Sequence, residues 1–431
     1  MKRLFILSAA VAALASCSNS EVITEVNEPQ VPDKAIAFET FSSNATRESA
    51  ENSGQTKTDG LFKHHETFEV WGYKDVQSTY VFGKEGETDG TKSSDGVQVT
   101  GTEDNSASPA TYSWTYSPIH FWDKNANSYE FYACAPATAG FVLNKNEDSK
   151  QKDDYFTLSD VTLYNTTLSL SSKNYSQFMK SGQVSNSIAN TGETTADNNP
   201  THINTDYMIA NACNVANTNF GDPVQLLFNH ILSRLNVTVK KSDNLTNYDV
   251  ALTSLVVKNI QSKGSFDESR QLTDLNLGTT ERWNTQNSPL DYVANSLSSV
   301  TTTSQYVLQS LVIPQKVEYE KINRDGTTGS EGNKTLLSND NKPYIELAYT
   351  ITSGSYTESF KAYFNLAKVF GKSNTNDTVS FNEGWQNTLN IIIDAAVISF
   401  TADVYKWDDN KTYNLDSNTG ESSQTSPSGG N

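Results

Sequence analysis

The sequence predicts an all-β protein, with two antiparallel β-sandwich domains in tandem. Three observations predict it. Short apolar runs with period-two alternation recur along most of the chain. Polar stretches rich in Gly, Ser, Thr, Asn and Asp separate them. Helical heptads and βαβ alternation are absent, which excludes a parallel α/β fold. A length of 431 residues suits two or three domains. Only 36% of residues are hydrophobic and 19% charged. The remainder is largely Ser, Thr, Asn and Gln, which suit the solvent face of antiparallel strands. A total of 20 Tyr, 19 Phe and 6 Trp supplies a core nonetheless, because aromatic side chains bury large areas.

The N-terminus reads MKRLFILSAAVAALASC. Lys2 and Arg3 precede an apolar run, Leu4 to Leu14, too short to span a bilayer. The segment closes on Leu14-Ala15-Ser16-Cys17, which resembles a bacterial lipobox. Residues 1–17 are therefore read as a lipoprotein signal peptide with Cys17 as the acylated residue. Several acyl chains on one residue meet the requirement of stable anchoring for more than one hydrophobic signal. No other segment approaches 18 consecutive apolar residues, so lipid is the sole expected membrane anchor. Residues 18–34 are polar, contain Pro29 and Pro32, and read as a tether.

Residues 35–219 form the expected first domain. Alternation begins at Ala35–Phe41, with Ile36 and Phe38 on one face. A polar loop follows, then a strand over Phe68–Tyr73, a hydrophilic insertion over roughly Gly83–Pro109, and strands over Tyr112–Trp122 and Tyr129–Cys134. Residues 220–408 form the expected second domain. Val224–Phe228 reads as a strand, followed by a short turn and by Leu235, Val237 and Val239 in alternation. Further strands are expected over Tyr248–Ile260, Tyr306–Ile313, Tyr344–Ile351, Ser359–Leu366, Gly384–Ile393 and Val397–Trp407. Residues 409–431 read as a disordered polar tail.

Composition bounds the function. A formal net charge of -18 leaves no basic footprint for phosphate, so nucleic acid is excluded as a partner. The five histidines, His64, His65, His120, His202 and His230, fit no HExxH or Cys/His ligand spacing. No GxSxG, Walker A or GxGxxG occurs, and no nucleophile, base and orienting group can be nominated; the chain is read as a non-enzyme without metal or cofactor. Asp153-Asp154 is acidic but follows no EF-hand pattern. Beyond Cys17, Cys134 and Cys213 either form one bridge or remain two buried thiols. Trp71, Tyr73, Trp114, Tyr116 and Trp122 make either a sandwich core or a carbohydrate platform, and their period-two spacing favours the core.

Four stretches together are similar to the fimbrillin family of Bacteroidetes surface lipoproteins. The lipobox at Cys17 leads to Ile36-x-Phe38 and then Thr46-Arg47. Trp122…Tyr129-Glu130-Phe131-Tyr132-Ala133…Pro136 matches a W…Y-x-F-x-A-x-x-P segment. Val224 to Val237 matches V-x-L-x-F-x-H-x-L-S-[KR]-L-x-V. Gly384 to Trp407 matches a closing hairpin ending in V-x-x-W. The resemblance implies two transthyretin-like sandwiches, export to the cell outer membrane as a surface-exposed lipoprotein, and assembly into fimbriae with other subunits by strand addition. It also implies cleavage by an arginine-specific protease at Arg47, which frees the first strand and opens a groove for a neighbour's strand. The tail departs from the stalk-subunit pattern: after Trp407 only Tyr413 and Leu415 are apolar, so a tip or accessory subunit is the better match. Asp377-Thr378-Val379 resembles a short O-glycosylation acceptor, which makes Thr378 a candidate site. The second reading is a monomeric glycan-binding outer-membrane lipoprotein in nutrient capture.

Overall fold

The computed structural model describes residues 34–42, 61, 65–75, 79–83, 96–104, 106, 111–137, 139–144, 154–164, 183–185, 203–270, 281–318, 343–370, 378–394, 398–406, 413–415 and 422–424. Among these are twenty-four strands, one α-helical turn, α1 (Leu366–Val369), and two short 3-10 turns (Asn217–Asn219 and Asp243–Leu245).

The first sheet has eight strands: β1 (Phe38–Ser42), β2 (Thr67–Lys74), β3 (Thr79–Phe82), β4 (Val97–Asp104), β5 (Thr111–Thr115), β6 (Ser128–Ala135), β11 (Met208–Ala216) and β12 (Val224–His230). Their order is β1-β12-β11-β6-β2-β4-β5, with β3 on β2. The second sheet joins β7 (Val142–Asn144), β8 (Tyr155–Thr162), β14 (Asp249–Asp267), β15 (Trp283–Val293), β18 (Tyr344–Ser353) and β19 (Tyr356–Asn365). The third joins β13 (Ser233–Lys241), β16 (Gln305–Val312), β21 (Trp385–Ile393), β22 (Ile398–Lys406), β23 (Tyr413–Leu415) and β24 (Ser422–Gln424). Two small ribbons pair β9 (Gln183–Ser185) with β10 (Ile203–Thr205), and β17 (Gln315–Glu318) with β20 (Thr378–Phe381).

Three cores follow from strand alternation. In β2 and β6 one set of alternate residues (Phe68 and Val70, with Tyr129, Phe131 and Ala133) fills a core enclosed by the first sheet. The other set (Trp71 and Tyr73, with Tyr132 and Cys134) faces Phe156 and Leu158 of β8, Phe266 of β14 and Trp283 of β15. Both faces of these strands are buried, which explains their nearly continuous apolar runs. The third core lies between the second and third sheets, where Leu252, Leu255, Ile345 and Leu347 meet Leu235, Val237, Leu389 and Ile391.

Several expectations need correction. The boundary at 219/220 does not separate the sheets. β12 lies beyond it yet pairs with β1 and β11 in the first sheet, while β8 lies before it yet pairs with β14 in the second. The second of these crossings supplies Phe156, Leu158 and Val161 of β8 to the core shared with β2 and β6. The antiparallel expectation holds for most ladders, but β1 with β12 and β13 with β21 are parallel. Each parallel pair is joined by a long connection rather than a hairpin, as parallel pairing requires. The stretch read as a hydrophilic insertion contains β4, where Val99 alone is fully buried and its neighbours are solvated. One inward residue among polar ones gives too weak an alternation to detect. The tail read as disordered contributes β23 and β24 to the third sheet. Unpaired backbone groups on a sheet edge accept such short pairings.

Candidate functional site

The first strand is placed by two different partners. Residues 34–36 run against residues 120–122: the Ile36 N–H donates to the His120 carbonyl at 2.9 Å, and the Trp122 N–H donates to the Lys34 carbonyl at 3.2 Å. Beyond Ala37, whose carbonyl accepts from the Val224 N–H at 2.7 Å, the chain joins β12 in parallel register from Phe38↔Val224 to Ser42↔Phe228. β1 thus bridges β12, near one end of the first sheet, and the segment that follows β5 at the other. The sheet rolls around its own core, and β1 closes the seam.

Period-two alternation carries Ile36 and Phe38 into that core. Phe38 is 6% exposed and meets Phe68, Phe82, Tyr116 and Phe131 edge-on, at ring-centroid distances of 5.8, 5.4, 5.7 and 5.9 Å. Edge-to-face geometry at these separations adds attraction beyond area burial. β12 presents Val224, Leu226, Phe228 and His230 inward, while Gln225, Leu227 and Asn229 are exposed. The Tyr116 hydroxyl donates to the Ile36 carbonyl at 2.7 Å, locking the strand's entry. At the same entry Gly221 has φ +96, and a Cβ there would lie 2.5 Å from Lys34 Cδ. The positive φ favours glycine here, while the flexible Lys34 side chain could move aside for a Cβ.

His230 ends β12 in a buried polar contact. Its Nδ1 lies 3.0 Å from Asp206 Oδ1, and His65 Nε2 lies 2.5 Å from the Asp206 carbonyl. All three residues are buried. The group ties β12 to the chain before β11.

A second charged group joins the sheets. Arg282, at the start of β15, donates to Glu383 Oε2 through Nη2 at 2.6 Å and Nε at 3.0 Å; its Nη1 lies 3.7 Å from Glu268. Glu268 in turn accepts from the Phe156 N–H on β8 at 2.8 Å. Glu383 is 7% exposed and its Oε1 has no partner, so burial pushes its pKa up to about 7 despite the arginine.

The remaining sequence candidates distribute as follows. Cys17 and Arg47 lie outside the described residues, Arg47 between β1 and Leu61. Thr378 is exposed at the start of β20. Cys134 is a buried free thiol, and its ladder partner is Ile209. Cys213 stands four residues beyond Ile209, roughly 10–13 Å along the strand. That exceeds the ~7 Å Cα separation a bridge allows, so of the two alternatives the bridge to Cys134 is the one set aside. Burial raises the Cys134 thiol well above its ordinary range. Trp71, Tyr73 and Trp122 are buried and Trp114 and Tyr116 pack against the core, which removes them as a carbohydrate platform. Among the described residues no group of three His, Cys, Asp or Glu side chains is placed to hold a metal, and no helix is long and apolar enough to cross a membrane. Sequence reasoning missed the role of β12 as partner of the first strand, although the alternation of Val224, Leu226 and Phe228 was visible.

The fold and this site define an all-β protein in which the leading strand closes a rolled sheet. The chain belongs to the fimbrillin-like family, whose model matches residues 58–407. Among solved structures, it is similar to a candidate cell adhesion protein from Bacteroides uniformis at 12% identity (88% of this chain, 100% of that chain, TM-score 0.40). It is also similar to the tip fimbrial protein Mfa3 from Porphyromonas gingivalis at 10% identity (87% and 100%, TM-score 0.32). A third is the fimbrial anchor protein Mfa2 from the same organism at 8% identity (87% and 98%, TM-score 0.29). No curated protein sequence matches the chain.

Proposed function

We propose that this chain is a surface-exposed fimbrial subunit of tip or accessory type, built from transthyretin-like sandwiches, that serves adhesion and assembles by strand exchange. It reaches the outer membrane as a lipoprotein acylated at Cys17. Cleavage after Arg47 detaches the segment that carries β1, and a neighbouring subunit's extended strand fills the groove. The observation that carries this reading is the seating of β1. It inserts Ile36 and Phe38 into the core, while the chain leaves it at Ser42, a few residues before Arg47. An extended strand held by ladder bonds and two side-chain anchors is replaceable by another of like pattern. Membership of the fimbrillin-like family supports a place at the cell surface or in fimbriae. O-glycosylation at Thr378 is proposed as well, on an exposed hydroxyl.

The test is the N-terminus of the protein in sheared surface material. Chains beginning at Glu48 are expected there, and an Arg47→Ala variant should remain full-length and cell-bound. Chains that always begin at an acylated Cys17 would remove strand exchange by this route. The glycan-binding alternative is weakened by the burial of Trp71, Tyr73 and Trp122.

A further inference from the structure

We infer that Thr40 sets how readily the leading strand leaves its groove, and that the groove therefore prefers an incoming strand with an aliphatic residue at that register. This rests on the strand-exchange reading above and specifies its partner chemistry. Thr40 is fully buried, at 0% exposure, and its Oγ1 has no hydrogen-bond partner in the protein. Period-two alternation puts it on the same inward face as Ile36 and Phe38. Its register partner on β12 is Leu226, and Val224 and Phe228, partners of Phe38 and Ser42, flank it; all three line the core that holds Phe38. An apolar groove thus receives a hydroxyl. In the free segment that hydroxyl is hydrogen-bonded to water, and docking forfeits the bond without replacement.

Of the inward residues, Phe38 and Thr40 act in opposite senses. Phe38, ringed by four aromatic side chains, holds the strand. Thr40 weakens it. A competing strand with an aromatic residue at the Phe38 position and Val, Ile or Leu two residues later makes the same ladder without the unpaired hydroxyl. The groove consequently releases its own strand in favour of such a partner.

The test uses the full-length chain with Thr40→Val and Thr40→Ser, and two readouts. In the intact protein, hydrogen exchange over residues 34–42 is expected to slow about tenfold in T40V relative to wild type, a factor matching ~1.4 kcal/mol. T40S, which keeps the hydroxyl, should exchange at least as fast as wild type. Exchange over Trp385–Ile393 should be the same in all three. After cleavage at Arg47 by an arginine-specific protease, the released segment should leave T40V about tenfold more slowly. Unchanged exchange and release in T40V would overturn the inference, and so would a T40V chain that fails to fold. If the wild-type segment never leaves after cleavage, the strand-exchange reading fails. The exchange rates in uncut protein then still decide whether Thr40 weakens the docked strand.

Discussion

The Tyr116 hydroxyl donates a 2.7 Å hydrogen bond to the main-chain carbonyl of Ile36, across 80 residues of sequence. That bond joins the segment after β5 to the entry of β1 and so holds both ends of the rolled first sheet. Tyr116→Phe keeps the ring that packs on Phe38 and removes the donor. A loss of about 1 kcal/mol is expected, with faster hydrogen exchange at residues 34–37 and little change in the second and third sheets. Uniform destabilisation across all three sheets would show that the bond does not act locally.

Phe38→Ala should cost about 3–5 kcal/mol if β1 is integral to the core, because it empties a site lined by four aromatic rings. Denaturant titration monitored by tryptophan fluorescence would report it, since Trp114 and Trp122 belong to that core. A cost below about 1 kcal/mol would mean that the strand lies on the protein rather than in it.

Cys134 should be inert in the folded chain. It is buried with its thiol well above the usual range, so too little thiolate is present or accessible for attack. Treatment with a thiol reagent at pH 8, followed by peptide mass analysis, should leave Cys134 unmodified until the protein is unfolded. Recovery of a Cys134–Cys213 linked peptide under non-reducing conditions would contradict the structure.

Glu383 gives a signed pH dependence. Its folded pKa, about 7, lies above the ordinary 4.5, so the native state binds its proton more tightly than the unfolded chain does. The resulting stabilisation is complete below about pH 4.5 and is lost as pH rises through about 7. The difference between wild type and Glu383→Gln, followed by thermal unfolding from pH 5 to 8, should therefore shift by up to about 3 kcal/mol against wild type. A difference that does not vary with pH would place the carboxylate in an ordinary ion pair with Arg282.

Much of this was legible in the sequence, for identifiable reasons. Strands with one buried and one solvated face, such as β12, announce themselves by alternation. The Val224–Val237 block resolved into β12, a turn at Ile231-Leu232 and β13 because its period held on both sides of that turn. What failed was long-range pairing. No local signal tells that β8 joins β14, or that β1 chooses β12 across some 180 residues, because register is fixed by faces meeting in the folded state. β15 was missed because its run Trp283–Val293 is largely polar and exposed along its first half. At the site, the Phe38 anchor was visible as half of an Ile-x-Phe pair. The unpaired hydroxyl of Thr40 was not, since it depends on what β12 places beside it.

The most direct test of the central claim follows the leading strand itself. The full-length chain would be cut at Arg47 and incubated with a labelled synthetic peptide of residues 34–42, then separated by size while folded. Strand exchange predicts loss of the cleaved segment and stoichiometric uptake of the peptide, with a Phe38→Ser peptide failing to enter. A cleaved segment that stays in place, or a folded remainder that takes up neither peptide, would contradict it.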